Sequence, residues 1–248
     1  MRNYCKTIGA LAAVSALVAG NASAEGVEYD LSAGYSNEYL FRGLNLGQDL
    51  IEVGALVKTE VSGIGLSAGA WYGSYDNANL GGINNNSDVG ELDLYGAVSK
   101  DFGFLTASVG YIYRYSESGD DTANDFVVPP SQEIYFAVSR QIYGIDTALT
   151  YYWGIEGEND GYSELDLGKS FELNQCLTLN VGSKLGYLVE EGQLTALTSK
   201  VSLDWNFVST AKLSPFVAYS ISLNDDNDTW YDGSKNQVIG GMMLSVGF

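Results

Sequence analysis

Period-two alternation of apolar side chains is the feature that most restricts how this chain can fold. At its end every second residue is apolar, and the series closes on an aromatic side chain: Val238, Gly240, Met242, Leu244, Val246 and Phe248. Successive side chains of a β-strand point to opposite faces, so this pattern predicts a strand with one apolar face. Such a strand can lie in hydrocarbon only if every backbone N–H and C=O is paired, which requires closure into a barrel.

The same alternation recurs in eleven further segments, and the chain is therefore predicted to form twelve strands. Their apolar rows begin at Val27, Ile51, Leu66, Leu92, Leu105, Ile134, Leu149, Leu165, Leu177, Leu197 and Leu213. Short predicted turns, at 62–64, 100–103, 141–144, 172–176 and 208–212, alternate with links at 37–49, 76–88, 116–131, 156–162, 190–194 and 224–235. Only the link at 190–194 is as short as a turn. The predicted fold is an all-β, transmembrane, antiparallel up-and-down barrel of about twelve strands.

Aromatic side chains lie at the ends of the apolar rows, where a membrane barrel carries its interfacial girdles. One predicted girdle is formed by Tyr35, Tyr72, Tyr113, Tyr115, Trp153, Tyr187 and Tyr219, and part of the other by Phe171, Trp205, Phe207 and Phe248. The rival fold is a water-soluble barrel of inverted parity, as in lipocalins, which have about eight strands. The girdles, the strand number and the leader described next favour the membrane barrel.

Residues 1–24 have the composition of a secretory signal peptide. Arg2 and Lys6 precede an apolar stretch, and Ala22-Ser-Ala24 forms a small-residue cleavage site. We therefore divide the chain into a signal peptide, 1–24, and one outer-membrane barrel domain, 25–248. The expected location is the cell outer membrane, reached through the periplasm after cleavage near Ala24. No apolar run approaches the roughly 18–20 residues that a transmembrane helix needs.

Charge restricts the partners. The chain has 12 Lys and Arg against 31 Asp and Glu, a formal net charge of −19, so nucleic acid is not an expected partner. The expected partners are outer-membrane lipid, small solutes or cations, and the barrel-assembly machinery. We expect that machinery to recognise the terminal row Leu244, Val246 and Phe248. The oligomeric state stays open.

Residues of the opposite parity are predicted to face the interior and to line a pore. These are Glu28, Asp30, Arg42, Glu52, Glu91, Asp93, Arg114, Glu133, Asp146, Glu164, Asp166, Lys184, Lys200 and Asp204. When Glu60 and Lys58 are added to these residues and Arg42 is omitted, the inner face carries eleven acids and four bases. This is an excess of seven negative charges. A wall of this charge predicts a preference for cations. The alternative is that acids and bases pair locally and leave little field.

The strand number sets the width of the predicted lumen. About eight strands leave an interior filled by side chains, and about 16 to 18 leave an open channel, so twelve predict a restricted passage. Inward glycines are expected to leave room: Gly54, Gly69, Gly73, Gly110, Gly182 and Gly186. Inward aromatic residues take some of it back: Trp71, Tyr95, Tyr135 and Tyr152. The predicted function is a narrow passive channel, and the alternative is a non-conducting scaffold barrel that anchors an envelope partner.

Catalytic chemistry is not predicted. The chain has no histidine, which removes the usual general base. The pairs Glu91/Asp93 and Glu164/Asp166 follow from i, i+2 spacing on one strand face. Cys176 is the one cysteine after the predicted signal, and we expect it to be buried or to face lipid. No cofactor and no metal site is predicted, and the acidic runs 118–121 and 225–228 are interpreted as solvated loops.

The segment after the first strand carries an unusual motif. It reads Tyr35-Ser-Asn-Glu-Tyr-Leu-Phe-Arg-Gly-Leu-Asn-Leu-Gly47, and a glycine-punctuated hairpin follows at Val61–Tyr72. A motif of the form Ser-Asn/Asp-x-Tyr-x-Phe-Arg-Gly in this place resembles the TorF-type family of proposed porins. The resemblance implies an outer-membrane channel without naming a solute. By parity Tyr39 and Phe41 are expected to face lipid, and Arg42 to face an acidic lumen, where it could narrow the pore.

Overall fold

The computed structural model of the chain describes residues 26–76, 79–80, 83–84, 88–118, 131–156, 161–224 and 235–248. The predicted signal peptide, the acidic run 225–228 and most of the run 118–121 lie outside the described residues. The described part is built from β-strands. Their bounds follow the alternation of the sequence closely, except around the motif near the start of the chain.

Twelve of the fourteen strands found in the described residues form a barrel, and the two short strands β4 and β5 pair with each other in the link between β3 and β6. The strands are β1 (Glu28–Phe41), β2 (Leu44–Val61), β3 (Ile64–Asp76), β4 (Asn79–Leu80), β5 (Ile83–Asn84), β6 (Val89–Asp101), β7 (Thr106–Ser118), β8 (Ser131–Ile142), β9 (Ile145–Glu156), β10 (Tyr162–Asn174), β11 (Leu177–Leu188), β12 (Gln193–Val208), β13 (Ala211–Ser222) and β14 (Gln237–Gly247). The predicted fold class is confirmed.

The barrel is closed by antiparallel pairing of its first and last strands. β1 pairs with β14 from Asp30 opposite Gly247 to Ser36 opposite Gly241. At the end of this seam Tyr29 and Phe248 exchange both backbone hydrogen bonds, at 2.9 and 3.0 Å. Every other barrel strand pairs with the next barrel strand along the chain. Closure therefore leaves no free edge between Asp30 and Ser36 of β1.

The two ends of the barrel differ in their connections. One end, called here the turn end, carries both ends of the barrel domain and tight turns at residues 62–63, 143–144, 175–176 and 209–210. Two of these turns place a residue and the following glycine at positive φ, as in Ser62-Gly63 at 53° and 75°, which is the conformation of a type I′ hairpin turn. The short link 102–105 between β6 and β7 lies at the turn end as well, and the other end, called the loop end, carries the remaining links. The predicted short turns are confirmed, whereas the loop predicted at 37–49 is not, as described below.

The two faces of the wall differ as the alternation predicts. Large apolar side chains cover the outer face, where Ile51 is 63% and Val217 is 59% exposed, whereas the acids Glu91 and Glu133 on the inner face are each 3% exposed. Predicted girdle residues such as Tyr35, Trp153 and Trp205 are exposed on the outer face. No helix long and apolar enough to cross a membrane occurs among the described residues. Cys176 is exposed in a turn, which excludes the first of its two predicted placements, burial or contact with lipid.

The inward glycines do not widen the lumen in the way the sequence suggested. Gly110 lies opposite Tyr135 on the neighbouring strand, and a Cβ on it would come within 2.2 Å of the tyrosine ring. Gly69 lies opposite Tyr95 on the neighbouring strand, and a Cβ on Gly69 would come within 2.6 Å of that tyrosine ring. Each glycine therefore makes room for an aromatic ring that lies along the wall. The space is filled by a neighbouring side chain and is not left to the passage.

Candidate functional site

A hairpin of the wall folds into the barrel at the loop end. It consists of residues 37–50, the distal parts of β1 and β2, and is called here the inner hairpin. The sequence predicted a long loop at 37–49. The structure instead continues β1 to Phe41 and starts β2 at Leu44. The turn between them is Arg42-Gly43, with φ of 52° and 91°, so it is a third type I′ turn and not an open loop.

Contacts at the tip show that the inner hairpin crosses the interior. Arg42 binds Glu133 on β8, and a Cβ on Gly43 would come within 2.4 Å of the Ala196 side chain on β12. In the closed strand order β8 lies four strands from β2 and β12 lies three strands from β1, and the wall from β8 to β12 is called here the far wall. Leu44 packs against a cluster of buried residues that extends from β6 to β11 and contains Ala97, Ile112, Tyr135, Tyr152, Tyr162 and Leu188.

The near side of the inner hairpin packs against its own wall. Tyr39 and Leu50 form a buried cluster with Tyr75 and Val89, and Phe41, Leu46 and Trp71 pack against it. The Tyr39 ring lies 4.9 Å from that of Tyr75 and 5.7 Å from that of Trp71. Tyr39 is 8% exposed. The predicted lipid-facing positions of Tyr39 and Phe41 are therefore wrong, because β1 leaves the wall before it reaches them.

Irregular pairing allows the two strands to bend inward. The register of β1 against β2 shifts between Tyr39 and Leu40, and that of β2 against β3 shifts between Gln48 and Ile51. Asp49, within the second irregularity, has a φ of 52° and accepts a hydrogen bond from the Tyr35 hydroxyl at 2.5 Å. Bulges of this kind bend a strand and redirect its side chains. The bend lies at the root of the inner hairpin.

The Arg42 guanidinium is held by one carboxylate and three aromatic rings. It donates two hydrogen bonds to Glu133, at 2.7 and 2.6 Å, in the forked geometry that makes such pairs strong. Its central carbon lies 4.8 Å from the ring centre of Phe41 and 4.5 Å from those of Tyr152 and Tyr162. The side chains of Arg42 and Glu133 are 10% and 3% exposed. This buried pair fixes the tip of the inner hairpin to β8.

A second cation joins the same group. Arg114 lies 3.3 Å from Asp93 and 3.7 Å from Glu91, and 3.9 Å from the Glu133 that binds Arg42. The hydroxyl of Tyr39 donates to Glu91 at 2.7 Å. These side chains form what we call the latch network: Tyr39, Arg42, Glu91, Asp93, Arg114 and Glu133. It joins two residues of the inner hairpin to β6, β7 and β8.

A similar arrangement lies on another part of the wall, four strands away along the sheet. Lys184 binds Glu164 at 2.5 Å and Asp166 at 3.5 Å. In both groups the cation stands directly across the strand pair from the aspartate, as Arg114 does from Asp93 and Lys184 from Asp166. The segments Glu91-Leu-Asp-Leu94 and Glu164-Leu-Asp-Leu167 are identical in sequence, and their aspartates therefore occupy equivalent positions in the two strand pairs.

The rest of the interior holds smaller contacts. Lys58 binds Asp30 at 2.8 Å, the indole N–H of Trp71 donates to Glu52 at 2.7 Å, and the Lys200 ammonium lies 3.9 Å from the ring centre of Phe216. Lys212 binds Asp204 at 3.0 Å. Sequence reasoning missed Lys212, although its parity within β13 already placed it on the inner face.

The remaining predicted positions are less involved. Glu28 is exposed near the turn end, and Asp146 accepts a hydrogen bond from Gln141 at 3.0 Å in an exposed pair. Within the described ranges no group of Asp, Glu and Cys side chains could hold a metal ion. The structure thus brings most of the predicted inward residues into ion pairs and leaves these two near the rim.

The buried and exposed ion pairs should differ strongly in energy. We expect Glu133→Ala to cost about 3–5 kcal/mol of unfolding free energy, because it leaves the Arg42 guanidinium buried without its carboxylate. The double variant Arg42→Met/Glu133→Leu should cost less than the sum of the two single changes. Urea unfolding in lipid vesicles measures both.

The Asp30–Lys58 pair provides the matched control, since its side chains are 48% and 27% exposed. Asp30→Ala should cost at most about 1 kcal/mol. Equal losses for Glu133→Ala and Asp30→Ala would contradict the assignment of a buried latch.

The fold and its charged interior define a class, the outer-membrane β-barrels. The structure is similar to an outer membrane channel from Pseudomonas putida F1, with a TM-score of 0.55, 10% identity, and 90% of this chain and 95% of that chain covered. It is also similar to the CymD monoaromatic hydrocarbon channel, with a TM-score of 0.56, 8% identity, and coverage of 90% and 89%. For the NanC porin the TM-score is 0.50 and the identity 10%, with coverage of 88% and 98%. At these identities the similarity establishes the fold alone.

The sequence itself matches one family model. Residues 19–239 match the Gcw_chp family, described as bacterial proteins of unknown function, and the chain belongs to that family. No curated protein matches the chain. The family description names no activity, so function is argued from the site.

Proposed function

We propose that this protein is a porin-like passive channel of the outer membrane, for small solutes or ions, with a preference for cations. The observation that carries the proposal is the polar, charged inner face of a closed twelve-strand barrel, with apolar residues outside. A filled apolar interior would serve a purely structural barrel equally well, whereas charged groups along the inner wall suit an aqueous passage. The resemblance of the motif at 35–47 to the TorF-type family of proposed porins agrees with this function and stays a prediction.

The proposed path runs from the turn end past the ion pairs to the inner hairpin. Its narrowest part is assigned to the loop end, where residues 37–50 cross between the latch network and the far wall. The pore-lining residues are those named from the sequence, with Lys212 added. We do not propose an enzymatic role, since the chain has no histidine and its paired carboxylates are engaged with Arg114 and Lys184.

The preference for cations rests on the charge that remains after pairing. With Arg42 and Lys212 added to the four bases predicted from parity, six interior bases stand against the eleven acids named from the sequence. Local pairing is extensive, as the alternative interpretation expected, but five negative charges remain in excess, and three remain when Glu28 and Asp146 near the rim are left out. In a narrow lumen their field persists, because the screening length of about 8 Å at physiological salt is comparable with the passage.

Reversal potentials test the preference. In a planar bilayer under a salt gradient we expect a cation-selective current, and Glu52→Gln should weaken the selectivity because it removes an inward charge that accepts a hydrogen bond from the Trp71 indole and forms no ion pair within 4 Å among the described residues. Neutralising Glu91 and Asp93 as well should weaken it further. Glu117→Gln, which removes an exposed acid near the loop end, is the control and should change it little. Anion selectivity, or equal effects of Glu52→Gln and Glu117→Gln, would contradict the proposal.

The second candidate function is a non-conducting scaffold barrel. The observation that favours it is the inner hairpin, which spans the interior and packs against both walls. A closed interior of this kind would suit an anchor for an envelope partner. Single-channel recording separates the two functions, since a scaffold gives no current.

Assembly forms a further part of the proposal. We assign the terminal row Leu244, Val246 and Phe248 as the segment that the barrel-assembly machinery recognises. Phe248 is 66% exposed and its backbone closes the seam with Tyr29. A signal placed on the closing strand is read before the barrel is complete. The proposed location is the outer membrane, after export and removal of residues 1–24.

A further inference from the structure

The last strand of the barrel has a stretch of edge that β1 does not cover. Pairing of β14 with β1 stops at Ser36 opposite Gly241, whereas β14 continues to Gln237 and remains paired with β13 up to Ser220 opposite Gln237. The uncovered stretch is residues 237–240 of β14. It arises because β1, although a continuous strand to Phe41, leaves the wall at Asn37 to enter the inner hairpin.

One side chain takes the place of the missing strand. The Asn37 amide oxygen accepts a hydrogen bond from the Gly240 N–H at 2.6 Å, and its amide nitrogen donates to the Val238 carbonyl at 3.3 Å. A strand edge is a template for backbone pairing, and here a single amide group occupies two of its positions. The backbone of residues 38–40 is the segment that would pair there if β1 ran straight on.

The side-chain pattern also fits a straight β1. Continuing the register of the seam would place Asn37 opposite Gly240, Tyr39 opposite Val238 and Leu40 opposite Gln237. Tyr39 would then stand on the outer face beside Val238, which is 62% exposed there, and would extend the row of Tyr35. The period-two alternation of the sequence thus continues through Phe41, as a straight strand in the wall requires. The inward bend instead places Tyr39 and Arg42 in the latch network.

We propose that the inner hairpin is a gate with two positions. In the inward position, the one described above, the latch network holds it across the lumen. In the outward position residues 37–40 pair with residues 237–240 of β14, and the loop end of the passage is open. The irregular pairing at Tyr39/Leu40 and at Gln48–Ile51 is the hinge. In each position the inner hairpin makes a different set of contacts. Two alternative sets of contacts are what a two-state element requires.

This gate rests on the proposed channel function, and a pair of cysteines tests it. Leu40→Cys and Gln237→Cys, with Cys176→Ser to remove the exposed thiol, face each other only in the outward position. In the inward position Leu40 pairs with Asn45 of β2, and its neighbours Tyr39 and Phe41 pack with Tyr75 and Trp71 of β3, so the chain is directed away from β14 and the two thiols do not face each other. Ser32→Cys/Ser245→Cys, a pair on the closed part of the same seam, is the matched control.

Both pairs should cross-link on oxidation in folded protein, which gel mobility with and without heating identifies. The cross-linked Leu40/Gln237 pair should raise single-channel conductance several-fold, reversibly on reduction, and the control pair should leave it unchanged. Cross-linking of the control alone would overturn the gate, as would a cross-linked Leu40/Gln237 pair with unchanged conductance. Absence of current in every variant, including one without the inner hairpin, would remove the channel function and with it the gate.

Discussion

Excision of the inner hairpin is expected to raise single-channel conductance several-fold. Replacing residues 37–49 with a two-residue Asn-Gly turn would join the paired residues Ser36 and Leu50, so that β1 ends and β2 starts at the wall, a connection that type I′ hairpins favour. The change removes the segment that crosses the lumen and leaves the ion pairs of the turn-end half in place. Resistance to ion flow is concentrated at the narrowest part of a passage, so its removal should dominate the conductance. Recording in a planar bilayer measures the effect.

The link between β11 and β12 offers a matched control at the same end of the barrel. Residues 189–192 connect these strands without crossing the lumen, and shortening them to two residues should leave the conductance close to that of the unchanged protein. Equal increases in both variants would mean that the inner hairpin is not the constriction. No current in either variant would favour the scaffold function.

Loss of the terminal aromatic side chain is expected to lower the amount of membrane-inserted protein several-fold. Phe248→Ala removes the last side chain of the row Leu244, Val246 and Phe248 and keeps the backbone hydrogen bonds to Tyr29. The effect should appear in assembly and not in the stability of the barrel once it is formed. Quantification of heat-modifiable protein in outer membranes measures assembly, and urea unfolding of refolded protein measures stability.

Phe102→Ala is the control for this change. Phe102 is 52% exposed and Phe248 66%, and both lie at the turn end, so the two substitutions remove similar apolar surfaces. A small and equal loss of inserted protein in both variants would show that Phe248 contributes packing against lipid and no assembly signal.

The sequence predicted the wall well because the constraint on a strand in lipid is local. Each lipid-facing position must be apolar whatever its partners are, so parity alone assigned Glu91 and Glu133 to the inner face and Val217 to the outer face. Tight turns were predicted for the same reason, since Ser62-Gly63 needs positive φ at both positions and only a few residue pairs tolerate it. Parity would also have found Lys212.

The sequence predicted the candidate site less well because its contacts are not local. Arg42 and Glu133 are 91 residues apart, and nothing in the alternation indicates that their side chains meet. The prediction that the inward glycines leave open space was also wrong. Gly69 and Gly110 looked like open space along the chain, but each is filled by a ring from the adjacent strand.

Alternation of side chains by itself determined the class of fold, the strand number, the faces of the wall and the end at which the long links lie. These follow from the pairing of backbone groups in hydrocarbon and from the two-residue period of a strand. Tertiary structure alone decided that residues 37–50 leave the wall. Two sets of interactions compete here. Backbone pairing along β14 favours a straight β1, whereas a buried forked ion pair and aromatic packing across the lumen favour the inward bend. The balance depends on groups far apart in the chain, so no local pattern can record it.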